Sequence, residues 1–186
     1  MLLSDVGFNV EFVKPFDLGV VRAEHPSETT EQIKVLSHRN TVVDILKKST
    51  SSGWTYIFED DISPHAGVTL STILALEVSS DLGFYLGVCV PHEVDAVIPP
   101  PACTGDRCCG RCAHAVALSR EGRDEFLRYF DEVTHENYFD VIFEAFCANK
   151  GGGFKVYGWE MGYGNVEGHR GGFYQDRQQF ETGIGG

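Results

Sequence analysis

Basic residues are scarce in this chain: 15 Lys and Arg stand against 27 Asp and Glu, for a formal net charge of -12. A surface of that sign repels phosphate backbones, so the balance argues against a nucleic-acid partner. An anionic nucleotide would need a metal ion or local arginines to offset the field. Long apolar runs are missing as well. No stretch is long and apolar enough to cross a bilayer, and Met1-Leu2-Leu3 gives way at once to Ser4 and Asp5, unlike a signal peptide. A soluble, cytoplasmic protein with no membrane span is expected. No internal repeat or low-complexity tract breaks the chain. Its 186 residues, 42% of them hydrophobic, fit one globular domain over 1–186 with a proper core.

Cysteine is present but not in a familiar framework. Cys103, Cys108, Cys109 and Cys112 fall within ten residues, with Cys89 and Cys147 outside the cluster. Two separated C-x-x-C knuckles would suit zinc, but here all four residues come from one short loop. Plain thiols are favoured over a disulfide such as Cys103 to Cys108 or Cys112, and a disulfide over zinc.

The most informative segment is Trp54-Thr55-Tyr56-Ile57-Phe58-Glu59-Asp60-Asp61-Ile62. An apolar, aromatic run of strand length ends in three consecutive acids, without the Gly or Asn of an ordinary turn. Adjacent carboxylates repel one another and resist leaving water. A solvated turn would accommodate them. A divalent cation would offset the cost directly, because Mg²⁺ and Mn²⁺ prefer hard oxygen ligands. In open α/β sheets the carboxyl end of a strand is also where ligands sit.

Around this segment the hydrophobic pattern alternates between strand and helix. Val10 to Val13 reads as a short strand closed by Lys14-Pro15. Thr29 or Thr30 caps a helix to about Lys48, and Trp54 to Phe58 follows as a strand. Pro64 is expected to open a helix carrying Val68, Ile73, Leu74 and Leu76. Leu82 to Val90 reads as a buried strand. Pro91 to Gly110, with three successive prolines, is an irregular loop of the kind that often covers active sites. Ala113 to Leu118 is a strand, Ser119 caps a helix to about Val133, and Asn137 caps another over Tyr138 to Asn149. Gly151-Gly152-Gly153 ends that helix. Phe154 to Tyr157 is a last strand, and residues 158–186 read as a loop rich in Gly and aromatics. The pattern predicts a three-layer α/β/α sandwich with a mostly parallel, Rossmann-like central sheet.

Several of these pieces together resemble a known family. The order runs from Leu36-Ser37-His38-Arg39 on a helix, through Trp54 to Ile62 with its E-D-D, to Ala113-His114-Ala115-Val116-Ala117-Leu118-Ser119-Arg120-Glu121-Gly122 and then Tyr138-Phe139-Asp140-Val141. This resembles the GT-A-type glycosyltransferases of family 25, which include lipopolysaccharide and collagen sugar transferases, and the glycosyltransferases of large algal viruses. The likeness runs over roughly residues 8–177. In one respect the chain departs from it. Family members begin with a strand carrying an I-N-L-D-R-R-like stretch against the nucleotide base, whereas this sequence has Leu3-Ser4-Asp5-Val6-Gly7-Phe8 near its start and no such stretch.

The resemblance implies transfer of a sugar from a nucleotide-diphosphate donor, UDP-linked, to a glycan hydroxyl, with inversion. It implies Mn²⁺ or Mg²⁺ at the acidic element, to stabilise charge on the leaving diphosphate. Asp61 is then the first metal ligand, and Glu59 or Asp60 gives a second or holds the ribose. His169 is the natural further ligand, and Arg170 suits the diphosphate as a fork of donors. A carboxylate must take the acceptor proton: Asp140 by its position in the motif, or Glu144 one helical turn later on the same face. An acid in a first helical turn also meets the helix dipole favourably with no other role. Trp159, Tyr163, Phe173 and Tyr174 could stack on sugar rings, or simply hold the tail down. His38, Arg39 and His114 suit core-edge or structural roles equally well. Two rival readings are a catalytically inactive carbohydrate-binding or scaffolding relative and a metal-dependent phosphoesterase.

Overall fold

A computed structural model describes residues 3–50, 52–65, 67–90, 111–133, 138–150, 154–157, 160–161 and 172–175. Its strands are β1 (Thr55–Phe58), β2 (Ile62–Pro64), β3 (Gly83–Val90), β4 (Arg111–Leu118), β5 (Phe154–Val156), β6 (Glu160–Met161) and β7 (Phe173–Gln175). Its helices are α1 (Leu3–Val6), α2 (Leu18–Glu24), α3 (Thr30–Lys48), α4 (Leu70–Ser79), α5 (Arg120–Glu132) and α6 (Phe139–Lys150). The main sheet has the order β1-β4-β3-β5, with β6 also on β3, and β2 pairs with β7 in a second sheet.

The main sheet is mixed, in place of the mostly parallel sheet the alternation predicts. β4 pairs antiparallel with both β1 and β3, while β5 and β6 pair parallel with β3. β1, β3, β5 and β6 therefore all point one way, and β4 alone runs against them. Between the paired strands β3 and β4, strand–helix alternation fails. A parallel neighbour needs a crossover connection, usually a helix; the sequence between β3 and β4, Pro91 to Gly110, is rich in proline and carries no helical hydrophobic period. The chain re-enters beside β3 in the opposite sense.

Period-two alternation divides the sheet residues between two cores. Ile57, Tyr85, Val116, Leu118 and Phe154 share one core with α3, α5 and α6, where Phe126 packs on Phe130, Phe139, Phe143 and Phe146. Phe84, Leu86, Ala115 and Ala117 share the other with Val6, Val68, Ile73 and Phe173. Helices thus cover both faces. Each fully buried Phe contributes roughly 1.5–3 kcal/mol, so the aromatic cluster under α5 and α6 dominates the first core.

Helix starts follow their capping residues. Thr29 accepts from Gln32 N–H while Gln32 returns a bond to Thr29 N–H, a closed capping box at the head of α3. Thr29→Ala is expected to lower stability by about 1 kcal/mol in urea denaturation. Ser119 caps α5 by accepting from Gly122 N–H at 3.0 Å. Asn137, expected to cap α6, lies outside the described residues, as do Gly151, Gly152 and Gly153.

Four local expectations are corrected. Val10, Phe12 and Val13 are exposed and form no strand, having no paired neighbour among the described residues. Pro64 does not open a helix; it is buried in β2, where pairing with Phe173 uses an extended backbone, and the next helix waits for its cap at Thr69. The tail is not all loop, because β6 and β7 return to the sheets. Short α1 and α2 were unforeseen, being too brief for a helical period to register. Among the described residues, no helix is long and apolar enough to cross a membrane.

Candidate functional site

The acidic turn leaves β1 at the carboxyl end of the main sheet. Glu59 still belongs to the ladder through its N–H, which donates to the His114 carbonyl at 2.9 Å. It follows Ile57 by two residues, so alternation turns its side chain toward the layer of α3 and α6. There its Oε1 lies 4.0 Å from His38 Nε2. Asp60 is exposed and Asp61 half-buried in the turn that leads into β2. β7 then fixes β2 from its other side, pairing Ile62 with Gln175, and His65 N–H donates to the Gly172 carbonyl at 2.8 Å. Gly172 has a φ of 47°, a left-handed turn that favours glycine.

α3 and α6 complete this end of the sheet. His38 is about half-exposed, and its ring stands edge-on to Phe139 at 6.4 Å. Burial holds its imidazole below the usual histidine range, while the nearby Asp140 carboxylate works in the opposite direction. Asp140 sits in the first turn of α6, where its Oδ1 accepts from Val141 N–H at 2.9 Å. His38 therefore stands between Glu59 of the acidic turn and Asp140 of α6. Arg39, its neighbour in sequence, goes elsewhere: it is buried with its guanidinium 5.7 Å from the Phe130 ring.

Beneath the two candidate bases lies a buried phenol. Tyr85 donates its hydroxyl to Cys147 Sγ at 3.4 Å. Burial pushes the phenol well up, and Cys147, Glu144 and Asp140 push it further. Cys147 is a free, buried thiol, raised chiefly by the same desolvation. Neither group is poised to ionise; their part is to support the first two turns of α6.

The joint between the two sheets is also built from named contacts. His114 is fully buried, and its Nε2 lies 3.2 Å from the Phe173 carbonyl. That makes it a structural tie to β7, not a residue facing a ligand. Phe173 is fully buried against Phe58, ring centroids 5.2 Å apart, so it is no sugar-stacking platform. It staples the tail. Tyr174 is half-buried beside it. Trp159, Tyr163, His169 and Arg170 lie outside the described residues, as do Cys103, Cys108 and Cys109.

Among the described residues, no three His, Cys, Asp or Glu side chains gather as a metal site. The turn nevertheless fits one mode of ion binding. Mg²⁺ is commonly held by one or two carboxylates plus substrate phosphates, without an all-protein cage. Asp60 and Asp61 offer hard oxygens at the strand end, while Glu59 is turned toward His38. His38 is the residue the sequence under-reported. The available signal was a polar Ser37-His38-Arg39 run inside the apolar stripe of α3, which by itself does not say which polar residue faces the strand end. Comparisons with protein families, curated proteins and solved structures find no match to this chain.

Proposed function

We propose that this chain transfers a sugar from a nucleotide-diphosphate donor, UDP-linked, to a glycan hydroxyl, with inversion at the anomeric carbon, as the family-25 glycosyltransferases it resembles do. Its setting would be the cytoplasm. One observation carries the reading: His38 brings the acidic turn after β1 and the first turn of α6 to the same end of the sheet. Sugar transfer needs both functions side by side, an acidic element for the donor diphosphate and a carboxylate for the acceptor.

In this reading Asp61, with Asp60 or Glu59, holds a divalent cation against the diphosphate, and that cation neutralises charge building on the leaving group. His169 and Arg170 are assigned to the ion and the diphosphate. They stand three and two residues before Gly172, whose carbonyl anchors the chain beside β2. Asp140 takes the proton of the acceptor hydroxyl as its oxygen attacks the anomeric carbon and the bond to the diphosphate breaks. Glu144, one turn on, is the alternative base. His38 separates the two acidic groups and orients Glu59.

Calorimetric titration of UDP tests the donor site. Binding is expected with Mn²⁺, and a loss of about a hundredfold or more with EDTA or in Asp61→Ala, since a metal–diphosphate contact is worth several kcal/mol. Binding unaffected by either change would sink the assignment of the acidic turn.

A further inference from the structure

One buried residue is tied to both sides of the acidic turn. His114 lies in β4 with no exposed surface. Its carbonyl accepts from Glu59 N–H at 2.9 Å, which holds the chain where it leaves β1. Its imidazole Nε2 lies 3.2 Å from the Phe173 carbonyl. A carbonyl oxygen can only accept, so Nε2 carries the proton, and the neutral ring is the Nε2–H tautomer. Phe173 stands opposite Pro64, and Gln175 opposite Ile62, in the β2–β7 pair. His65 N–H then donates to the Gly172 carbonyl at 2.8 Å. Through β7, the His114 ring thus holds the strand into which the turn runs.

Gly87 on the neighbouring strand makes the room for this contact. It pairs with Ala115, and the β3–β4 register shifts on either side of it. A Cβ at Gly87 would stand 2.3 Å from His114 Nε2 and 2.5 Å from the Phe173 carbonyl oxygen, between the donor and its acceptor. Glycine in a strand suits such a close approach. Phe58, the residue before Glu59, closes the same joint from the apolar side, its ring 5.2 Å from that of Phe173.

We propose that His114 is the positioning residue of the acidic turn, fixing its entry at Glu59 with the carbonyl and its exit at β2 with the ring, through β7. Glu59, Asp60 and Asp61 are adjacent carboxylates that repel one another, so a turn held on one side only would splay. Held on both sides, it presents the Asp60 and Asp61 oxygens at a fixed separation, which an ion with strict ligand geometry requires. His114 itself touches neither ion nor substrate. Its service to the donor diphosphate rests on the sugar-transfer reading; the clasp on the turn does not.

NMR and calorimetry on the full chain test it in wild type, His114→Phe and His114→Gln. Phe keeps a flat ring without a donor, and Gln restores an N–H donor at similar reach. The wild-type imidazole is expected as the Nε2–H tautomer, and the Nδ1–H form would overturn the tie whatever the variants do. In His114→Phe the His65 amide should exchange about tenfold faster, the change that loss of one ordinary hydrogen bond produces. Ile57, in the β1–β4 pair, should keep its protection, and His114→Gln should restore most of that of His65. Unchanged His65 exchange in His114→Phe, or equal loss in both variants, would overturn the positioning role. UDP with Mn²⁺ should bind His114→Phe about tenfold more weakly than wild type, with His114→Gln close to wild type. Equal affinity in all three would overturn the role as well. If wild type binds no UDP while the exchange pattern is as expected, the sugar-transfer reading falls and the clasp stands.

Discussion

Replacing Asp140 with Asn is expected to lower kcat for sugar transfer about a hundredfold or more, the usual contribution of a positioned general base, while leaving Mn²⁺-dependent UDP binding intact. The substitution keeps the shape of the side chain and an oxygen that can still accept from Val141 N–H, so the first turn of α6 should hold. What it removes is the proton-accepting charge. A second readout checks that the right group has been changed. Asp140 opposes the effect of burial on His38, so its loss should move the His38 titration midpoint further down, as followed by NMR of the ring protons. The sign has a consequence for stability. A histidine whose folded pKa lies below its unfolded value binds fewer protons when folded, so stability falls as pH drops through about 6.5 toward the folded value. Asp140→Asn should steepen that loss. If the His38 midpoint moves as expected but kcat does not, Asp140 is placed as described and is not the base. Glu144→Gln then becomes the decisive variant.

Helices α3 and α5 were legible from the sequence because capping is local chemistry. Thr29 and Ser119 announce α3 and α5 through bonds made within one turn. Ile57 between Tyr56 and Phe58 likewise gave away β1 and the end at which the acids emerge. Direction was not legible. Nothing in Ala113 to Leu118 distinguishes a strand running with its neighbours from one running against them; the difference lies in what precedes it. Pro64 and Phe173 failed for the same reason, because β2 and β7 exist only through each other across more than a hundred residues of chain. At the candidate site, Glu59, Asp60 and Asp61 could be read from composition against position. The partner that connects Glu59 with Asp140 could not, since His38 is set by how α3 lies across β1. The Ser119-Arg120-Glu121-Gly122 stretch shows the reverse case. It counted toward the family resemblance, yet two of its residues have full explanations in packing. Ser119 donates its hydroxyl to the Asp81 and Leu82 carbonyls at 3.0 and 3.2 Å and caps the helix, and Gly122 is buried against β3's entry.

Gly122 supports the largest stability prediction. In an isolated helix, Gly→Ala gains about 0.8–1.0 kcal/mol from propensity. At this position the sign should reverse. A Cβ on Gly122 would stand 1.9 Å from the Leu82 carbonyl oxygen and 2.8 Å from its carbon, both backbone atoms that no side-chain rotation can move aside. The same carbonyl accepts from Ser119 N–H at 3.0 Å, so backing the helix away would also break the bonds that start α5. Overpacking of a filled core commonly costs 1–3 kcal/mol where side chains can give. Here backbone must move, and the net destabilisation of Gly122→Ala is expected at about 3 kcal/mol or more, enough to threaten a domain of ordinary stability. Urea denaturation followed by circular dichroism reads it as a lowered midpoint at unchanged slope. Gly19→Ala is the comparison: its Cβ would approach only the Asp17 side chain, at 2.9 Å on the exposed first turn of α2. That carboxylate can shift at the cost of its cap bonds to Gly19 and Val20, about 1 kcal/mol, so the effect should be well below that of Gly122→Ala. A midpoint for Gly122→Ala at or above wild type would mean that α5 does not start against Leu82, and with it the placement of α5 beneath α6 would fall.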